Sequence, residues 1–274
     1  MRSDLNRKTV PLMAGIILAA HASWPAWSPA DEPAAVFQAG AARREITPEK
    51  PVPMWGYSTR HDRLSKGVLD PLFVTAVVIE AGDAKLAIAG VDLGRAPTPV
   101  MMVQIREAVA RVGIGTVLIS ASHTHHGPVI ELNDRPGEGK GKFDDAVAYG
   151  KQLPETIIQA ILDAHAAREP AHVGFGFKDV DLNRNRQSKR PEAATDPRLT
   201  VLRFDRANGS PIALLAHYSA HPTLTDGKDD RFSADYPGHL RNRVEANFNA
   251  PCVFIQGAGG DLSVKPPEGL TTAN

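Results

Sequence analysis

The chain alternates apolar runs of strand length with longer stretches of helical spacing. "FVTAVVIEAG" and "KLAIAGVDLG" are apolar runs separated by a short Gly-Asp-Ala break, which predicts two paired strands. "TPVMMVQIREAVARVG" then places Val103, Ile105, Val109 and Val112 near a 3.6-residue period and stops at Gly113, a helix signature. "TVLISASHTHHGP" reads as a buried strand that runs into a polar loop. "DDAVAYGKQLPETIIQAILDAHAAR" predicts a helix interrupted or kinked near Pro154. "AHVGFGFKDV", "RLTVLRFDRANG" and "PIALLAHYSAHPT" add three strands. "ADYPGHLRNRVEANF" predicts a helix with Tyr236, Leu240, Val244 and Phe248 four apart, and "CVFIQGAGGDLSV" a last strand with a Gly-rich turn. The polar, glycine-rich stretch 131–142 reads as an exposed, mobile loop. Strands and helices mixed along the whole length predict an α/β fold, with no internal repeat.

Composition narrows the picture. With 274 residues, 42% of them hydrophobic, the chain can bury the core of one large domain. Lys+Arg and Asp+Glu are equal at 31 each, so there is no basic footprint and a nucleic-acid-binding module is excluded. The first thirty residues differ in kind. A net-positive start precedes the apolar run "TVPLMAGIILAA", too short to span a bilayer, and small residues follow at Ala22 and Ala30. This predicts a signal peptide over 1–30, cleaved near Ala22 or Ala30, and a secreted or periplasmic domain over 31–274; an uncleaved anchor is the alternative. Cys252 is the single cysteine, so no intramolecular disulfide forms, and its apolar strand suits a small buried side chain.

The candidate chemistry gathers in five loops. In "SHTHHGP", His123 and His125 fall on one side if the strand conformation persists, making a metal corner to which zinc is suited; a polar turn of satisfied histidines is the plainer reading. In "AHYSAHPT", Pro222 ends a strand and His221 offers a further ligand. Ser233 in "FSADYPG" precedes a helix. It is either an N-cap shared with Asp235, or a hydroxyl near free backbone N–H groups that acts as nucleophile or orients water. "LNRNR" brings Asn183, Arg184, Asn185 and Arg186, and arginine suits a carboxylate or an oxyanion unless the loop is simply solvated. "QGAGGDLS" lacks the Lys-Ser/Thr ending of a P-loop; it reads as a tight turn with Asp261 fixing a neighbour.

Taken in order, "SASHTHHGP", "LNRNR", "AHPT", "FSADYPG" and "GAGGDLS" resemble the N-terminal catalytic domain of the neutral/alkaline non-lysosomal ceramidases, in its broad bacterial branch. "AGAARREITP", "MWGY" and "GVDLG" fit the start of that domain, and the resemblance spans roughly 38–264. It implies two stacked mixed sheets flanked by helices, with zinc at strand ends and amidase chemistry that cleaves ceramide. It also implies His123 and His221 as zinc ligands, His125 as a contact to substrate, Ser233 as catalytic, and an Asn-Arg pair at Asn185 and Arg186, with Arg184 as the shifted alternative. The family's Glu and Tyr ligands lie downstream of the "GDxS" turn; Glu245 and Tyr236 do not match their motifs. The expectation is therefore a domain truncated at its C-terminal end.

The function expected is a secreted zinc amidohydrolase acting on ceramide or a related lipid amide, with an acylated small molecule as substrate and peripheral contact with a membrane. Two alternatives stand beside it: an exported, non-catalytic ligand-binding relative with an incomplete metal site, and an ester or lactone hydrolase on the same site.

Overall fold

The computed structural model describes residues 37–58, 63–134 and 143–265. The leader segment and residues 135–142 of the glycine-rich loop lie outside these. Strands β1 (Gln38–Glu45), β2 (Phe73–Ala81) and β3 (Ala84–Val91) form an antiparallel meander, and β4 (Thr116–Ala121) runs parallel to β3. A two-residue strand, β5 (Glu169–Pro170), completes the first sheet in the order β4-β3-β2-β1-β5. The second sheet, in the order β10-β9-β8-β6, comprises β6 (His172–Asp179), β8 (Arg198–Asp205), β9 (Pro211–Tyr218) and β10 (Cys252–Gln256). β7 (Asn183–Asn185) and β11 (Leu262–Val264) pair as a small antiparallel ribbon.

Period-two alternation explains the layers. On β2, Val74, Ala76 and Val78 face one core, while Val77 and Ile79 face another. The first core lies under α1 (Pro99–Ala110) and α2 (Asp144–Ala166), through Met101, Ile105, Val109, Ile157 and Ile161. The second joins the two sheets face to face, with Ala39 and Val77 against Phe204, Ala213, Leu215 and Val253. On the far side Leu214, Ala216 and Cys252 meet Leu240, Val244 and Phe248 of α3 (Asp235–Phe248). The result is two stacked sheets with helices on both outer faces, as expected. Among the described residues no helix is long and apolar enough to cross a membrane.

Three details depart from the expectations. The buried stripe of α1 is Met101, Ile105 and Val109, at a spacing of four, whereas Val103 is 52% exposed. α2 is not interrupted at Pro154, which lies inside the helix with Gly150 four residues before it. Glu131–Asp134, expected as loop, form a 3₁₀ turn. Strand β1 had no apolar signature because its middle is alanine and glycine. A Cβ on Gly40 would meet the backbone of α2 at Ala164 and of the chain just past it at Ala167 and Arg168, so small residues are what let the helix lie on the sheet.

One buried ion pair ties α3 across the sheets. Arg241 donates to Asp92 at 2.6 Å, each side chain 3% exposed, and Asp92 also accepts the Phe73 N–H at 2.8 Å. Asp92→Ala leaves that guanidinium buried without its carboxylate and should cost about 3–5 kcal/mol in urea unfolding. Val103→Ala, on the exposed face of α1, should stay within about 0.5 kcal/mol. Equal effects at the two positions would contradict this placement.

Candidate metal centre

The site lies where the carboxyl ends of both sheets meet. β4 is parallel to β3 and β10 is parallel to β9, so four strand ends open on one side. The Gln256 N–H donates to Ser120 Oγ at 3.2 Å and stitches the two sheets there. Beyond β4 the chain still follows the exit of β3: Ser122 N–H donates to Val91 O, and His123 N–H to Leu93 O. His123 itself has φ 68°, a left-handed conformation unfavourable for a residue with a Cβ. The extended path expected from His123 to His125 is thus broken, and the two rings meet because the chain turns. His221 enters from β9, its N–H bonded to Leu262 O and its backbone bridged to Ser263 of β11.

His123, His125 and His221 each offer a ring nitrogen, and these atoms lie within 4.8 Å of one another. Centroid separations are 4.7 Å for His123–His221, 4.7 Å for His125–His221 and 5.5 Å for His123–His125. Backbone carbonyls set two tautomers. His123 Nδ1 pairs with Gly94 O at 2.8 Å, and His221 Nδ1 with Gly259 O at 3.2 Å. A carbonyl only accepts, so both Nδ1 atoms carry the proton and both Nε2 atoms present lone pairs. His221 Nε2 then sits 2.8 Å from His125 Nε2, a contact that needs a proton or a cation between the nitrogens.

Burial is the first cause that pushes all three rings below the ordinary imidazole value. His125 falls to about 3, with His221 and His123 as the next causes; His221 falls to about 4, with the Arg186 charge next. Neutral imidazoles whose inward nitrogens converge, two of them oriented by outer hydrogen bonds, fit a divalent metal of the zinc, copper or nickel kind.

The walls are aromatic and glycine-lined. Trp55 meets His123 edge-on at 4.8 Å and His125 at 5.2 Å, while Tyr57 meets His125 at 4.8 Å. Gly56, at φ 107°, separates them; a Cβ there would lie 2.5 Å from His125 Cγ. Trp55, Gly94, Arg95, Ala121, His123 and His221 line a cleft of about 440 Å³.

The other expected residues divide. Arg186 donates through Nε and an Nη to Gly260 O, at 3.1 and 2.7 Å, and its charge acts on all three histidines. Asn185 bonds Asp261 at 3.0 Å, the fixing role expected of Asp261, and Asn183 bonds the Asp196 and Ser219 carbonyls. Arg184 has a buried Nε without a hydrogen bond. His126 lies apart from the cluster, its Nε2 beside Asp226 O at 3.1 Å. Ser233 is 1% exposed; its hydroxyl donates to Asp70 at 2.5 Å, accepts the Asp235 N–H at 3.0 Å, and bonds none of the three histidines. Tyr236 and Glu245 work elsewhere, on the Ala220 carbonyl and on Arg43 and the Cys252 N–H.

The sequence reading missed Trp55 and Tyr57 as walls, Gly94 and Gly259 as carbonyl anchors, and Ser263. The Ser263 hydroxyl is buried beside His221 with no hydrogen-bond partner. Two aromatics flanking a glycine, and a serine closing a glycine-rich turn, were the signals available.

A domain of two stacked sheets with a histidine cluster at its strand ends defines a class that the comparisons identify. The profile of the neutral/alkaline non-lysosomal ceramidase N-terminal domain matches residues 37–257, and the chain belongs to this family. It is 25% identical over 269 residues to a neutral ceramidase of Pseudomonas aeruginosa, covering 85% of this chain and 38% of that protein. Against neutral ceramidase B of Dictyostelium discoideum it is 25% identical over 179 residues, covering 54% of this chain and 23% of that protein. The crystal structure of the Pseudomonas aeruginosa neutral ceramidase superposes with a TM-score of 0.72 at 23% identity, over 86% of this chain and 41% of that chain. A structure of a ceramidase complexed with C2 superposes at 0.69 and 23% identity, over 83% and 38%. The chain thus spans well under half the length of these relatives.

The depressed histidines make the metal-free protein acid-sensitive. The folded state holds neutral rings, whereas the unfolded chain takes up protons as pH falls below about 6.5. Their contribution is therefore fully present above about pH 6.5 and is lost as pH falls towards about 4. Urea midpoints of chelator-treated protein should drop across that window, and less so in His125→Gln. A flat profile, or an unchanged one in the variant, would contradict the buried neutral cluster.

Proposed function

We propose that this domain is the metal-bearing part of a zinc amidohydrolase of the neutral ceramidase type, hydrolysing the N-acyl amide of ceramide or a related lipid amide. The observation that carries it is the convergence of His123, His125 and His221 inside a domain of the ceramidase family. The names of its relatives, and of one structure complexed with C2, support an acyl-amide substrate. The resemblance implies His125 as a substrate contact, whereas the closeness of its ring nitrogen to those of His123 and His221 supports the metal corner that the His-x-His spacing also offered.

His123, His125 and His221 would hold the ion, which when bound supplies Lewis-acid polarisation of an acyl carbonyl. The chain's own residues do the rest. Burial keeps the imidazoles neutral, so each has a lone pair to give. Arg186, anchored on Gly260 O, directs a fixed positive charge at the cluster and favours negative charge developing on a carbonyl oxygen. Trp55 and Ala121 give the cleft an apolar wall, and Arg95 supplies its charge. The leader-like N-terminus supports a working site outside the cytoplasm, and the mature chain is expected to begin after Ala22 or Ala30 in N-terminal sequencing.

The test is metal content and N-acylsphingosine hydrolysis of the full-length natural product. Wild type should hold about one zinc per chain, and His123→Ala with His221→Ala should lose both metal and hydrolysis. Retention of both in the double variant would sink the reading. Faster cleavage of matched O-acyl than N-acyl substrates would favour an esterase instead.

A further inference from the structure

The loop carrying His125 and the loop following His221 are both fastened to one short segment, Ser233–Asp235. On one side, Ser233 N–H donates to His126 O at 3.1 Å, Thr124 Oγ1 donates to Ser233 O at 2.7 Å, and Thr124 Oγ1 also accepts the His126 N–H at 3.1 Å. The stretch 124–126 that bears His125 therefore hangs on the backbone of Ser233. On the other side, the Asp235 carboxylate accepts the N–H groups of Leu224 and Thr225, at 3.3 and 2.7 Å, and so holds the chain just past His221. Asp235 sits at φ 55°, an uncommon conformation that its surroundings must enforce.

What enforces it is the Ser233 hydroxyl and Asp70. The hydroxyl accepts the Asp235 N–H at 3.0 Å and donates to Asp70 Oδ2 at 2.5 Å, while Asp70 Oδ1 accepts the Ala234 N–H at 2.8 Å. The N–H groups of Leu69 and Asp70 in turn bond the Phe232 carbonyl. A nucleophile must be open to substrate, yet Ser233 is 1% exposed and does not line the cleft beside the histidines. Its one O–H donor is committed to Asp70.

We propose that Asp70 and Ser233 are positioning residues: their side-chain hydrogen bond braces the segment that sets the spacing of His125 and His221. The Ser233 hydroxyl thus acts on the metal centre through Thr124, His126 and Asp235, without attacking the substrate. This rests on the metal-centre reading, and the test separates the two.

Zinc affinity is measured by competition with a chelating dye in wild type, Ser233→Ala, Asp70→Asn and the double variant, with hydrolysis followed at limiting and saturating zinc. Loss of an outer support for metal ligands should weaken zinc binding about 10–100-fold in Ser233→Ala. Hydrolysis should return towards wild type at saturating zinc. The double variant should be no weaker than the worse single one, because both changes remove one link. Wild-type zinc affinity in Ser233→Ala overturns the proposal; if turnover at saturating zinc is lost as well, the hydroxyl belongs to the chemistry. Where Ser233→Ala does not fold, Asp70→Asn, which keeps one acceptor oxygen, carries the same comparison. A wild type that binds no zinc defeats the metal reading, and the brace is then judged in crystal structures of metal-free wild type and Ser233→Ala. Opening of the His125–His221 Nε2 separation from 2.8 Å to beyond about 3.5 Å supports the brace, and an unchanged separation overturns it.

Discussion

Holding His221 and His125 with ring nitrogens 2.8 Å apart is the constraint around which the rest of the site is arranged. Imidazoles left in water would repel or rotate apart once protonated. Burial lowers their proton affinity, and carbonyl anchors at Gly94 and Gly259 fix which nitrogen faces inward. The left-handed turn at His123 is kept because Leu93 O, Gly94 O and the edge of Trp55 all grip that residue. The glycines follow from the same demand. A side chain at Gly56 would displace His125, and one at Gly94 would displace Trp55.

The architecture delivers this arrangement by stacking two sheets whose parallel strand pairs end together. His123 and His125 leave the first sheet and His221 leaves the second, so packing between the sheets sets their separation. Val77 against Phe204, Leu215 and Val253 is part of that packing. The Arg241–Asp92 pair and the Ser120–Gln256 hydrogen bond act at the site end of the same interface. Stability and site geometry therefore share their supports, and a fault in the sheet interface is felt at the histidines.

Much of this was legible in order along the chain. Strands β2, β3, β4, β6, β8, β9 and β10 and the three α-helices of the described residues announced themselves through apolar periodicity or length. Strand β1 did not, because contact with α2 demands Gly40 and leaves alanine where a strand usually shows Val or Ile. Strand β7, Asn-Arg-Asn, has no apolar pattern, and the bonds of Asn183 and Asn185 to Asp196, Ser219 and Asp261 hold it in place beside β11. His123 and His221 were readable as ligands from their place after strands. The route by which His125 joins them was not, because it depends on the positive φ of His123. Trp55 and Asp70 come from the segment between β1 and β2, far from the histidines in sequence, and their roles exist only in the folded chain. The two possibilities for Ser233, helix start or hydroxyl chemistry, could be weighed only once Asp70 was seen beside it.

The central claim is that three imidazoles from two sheets form one metal centre. Its most direct test is anomalous diffraction at the zinc edge from crystals grown with equimolar zinc. The account predicts one peak about 2.0–2.1 Å from Nε2 of His123, His125 and His221 together. An ordered His cluster with no peak, or a peak that leaves these three nitrogens unligated, would contradict it.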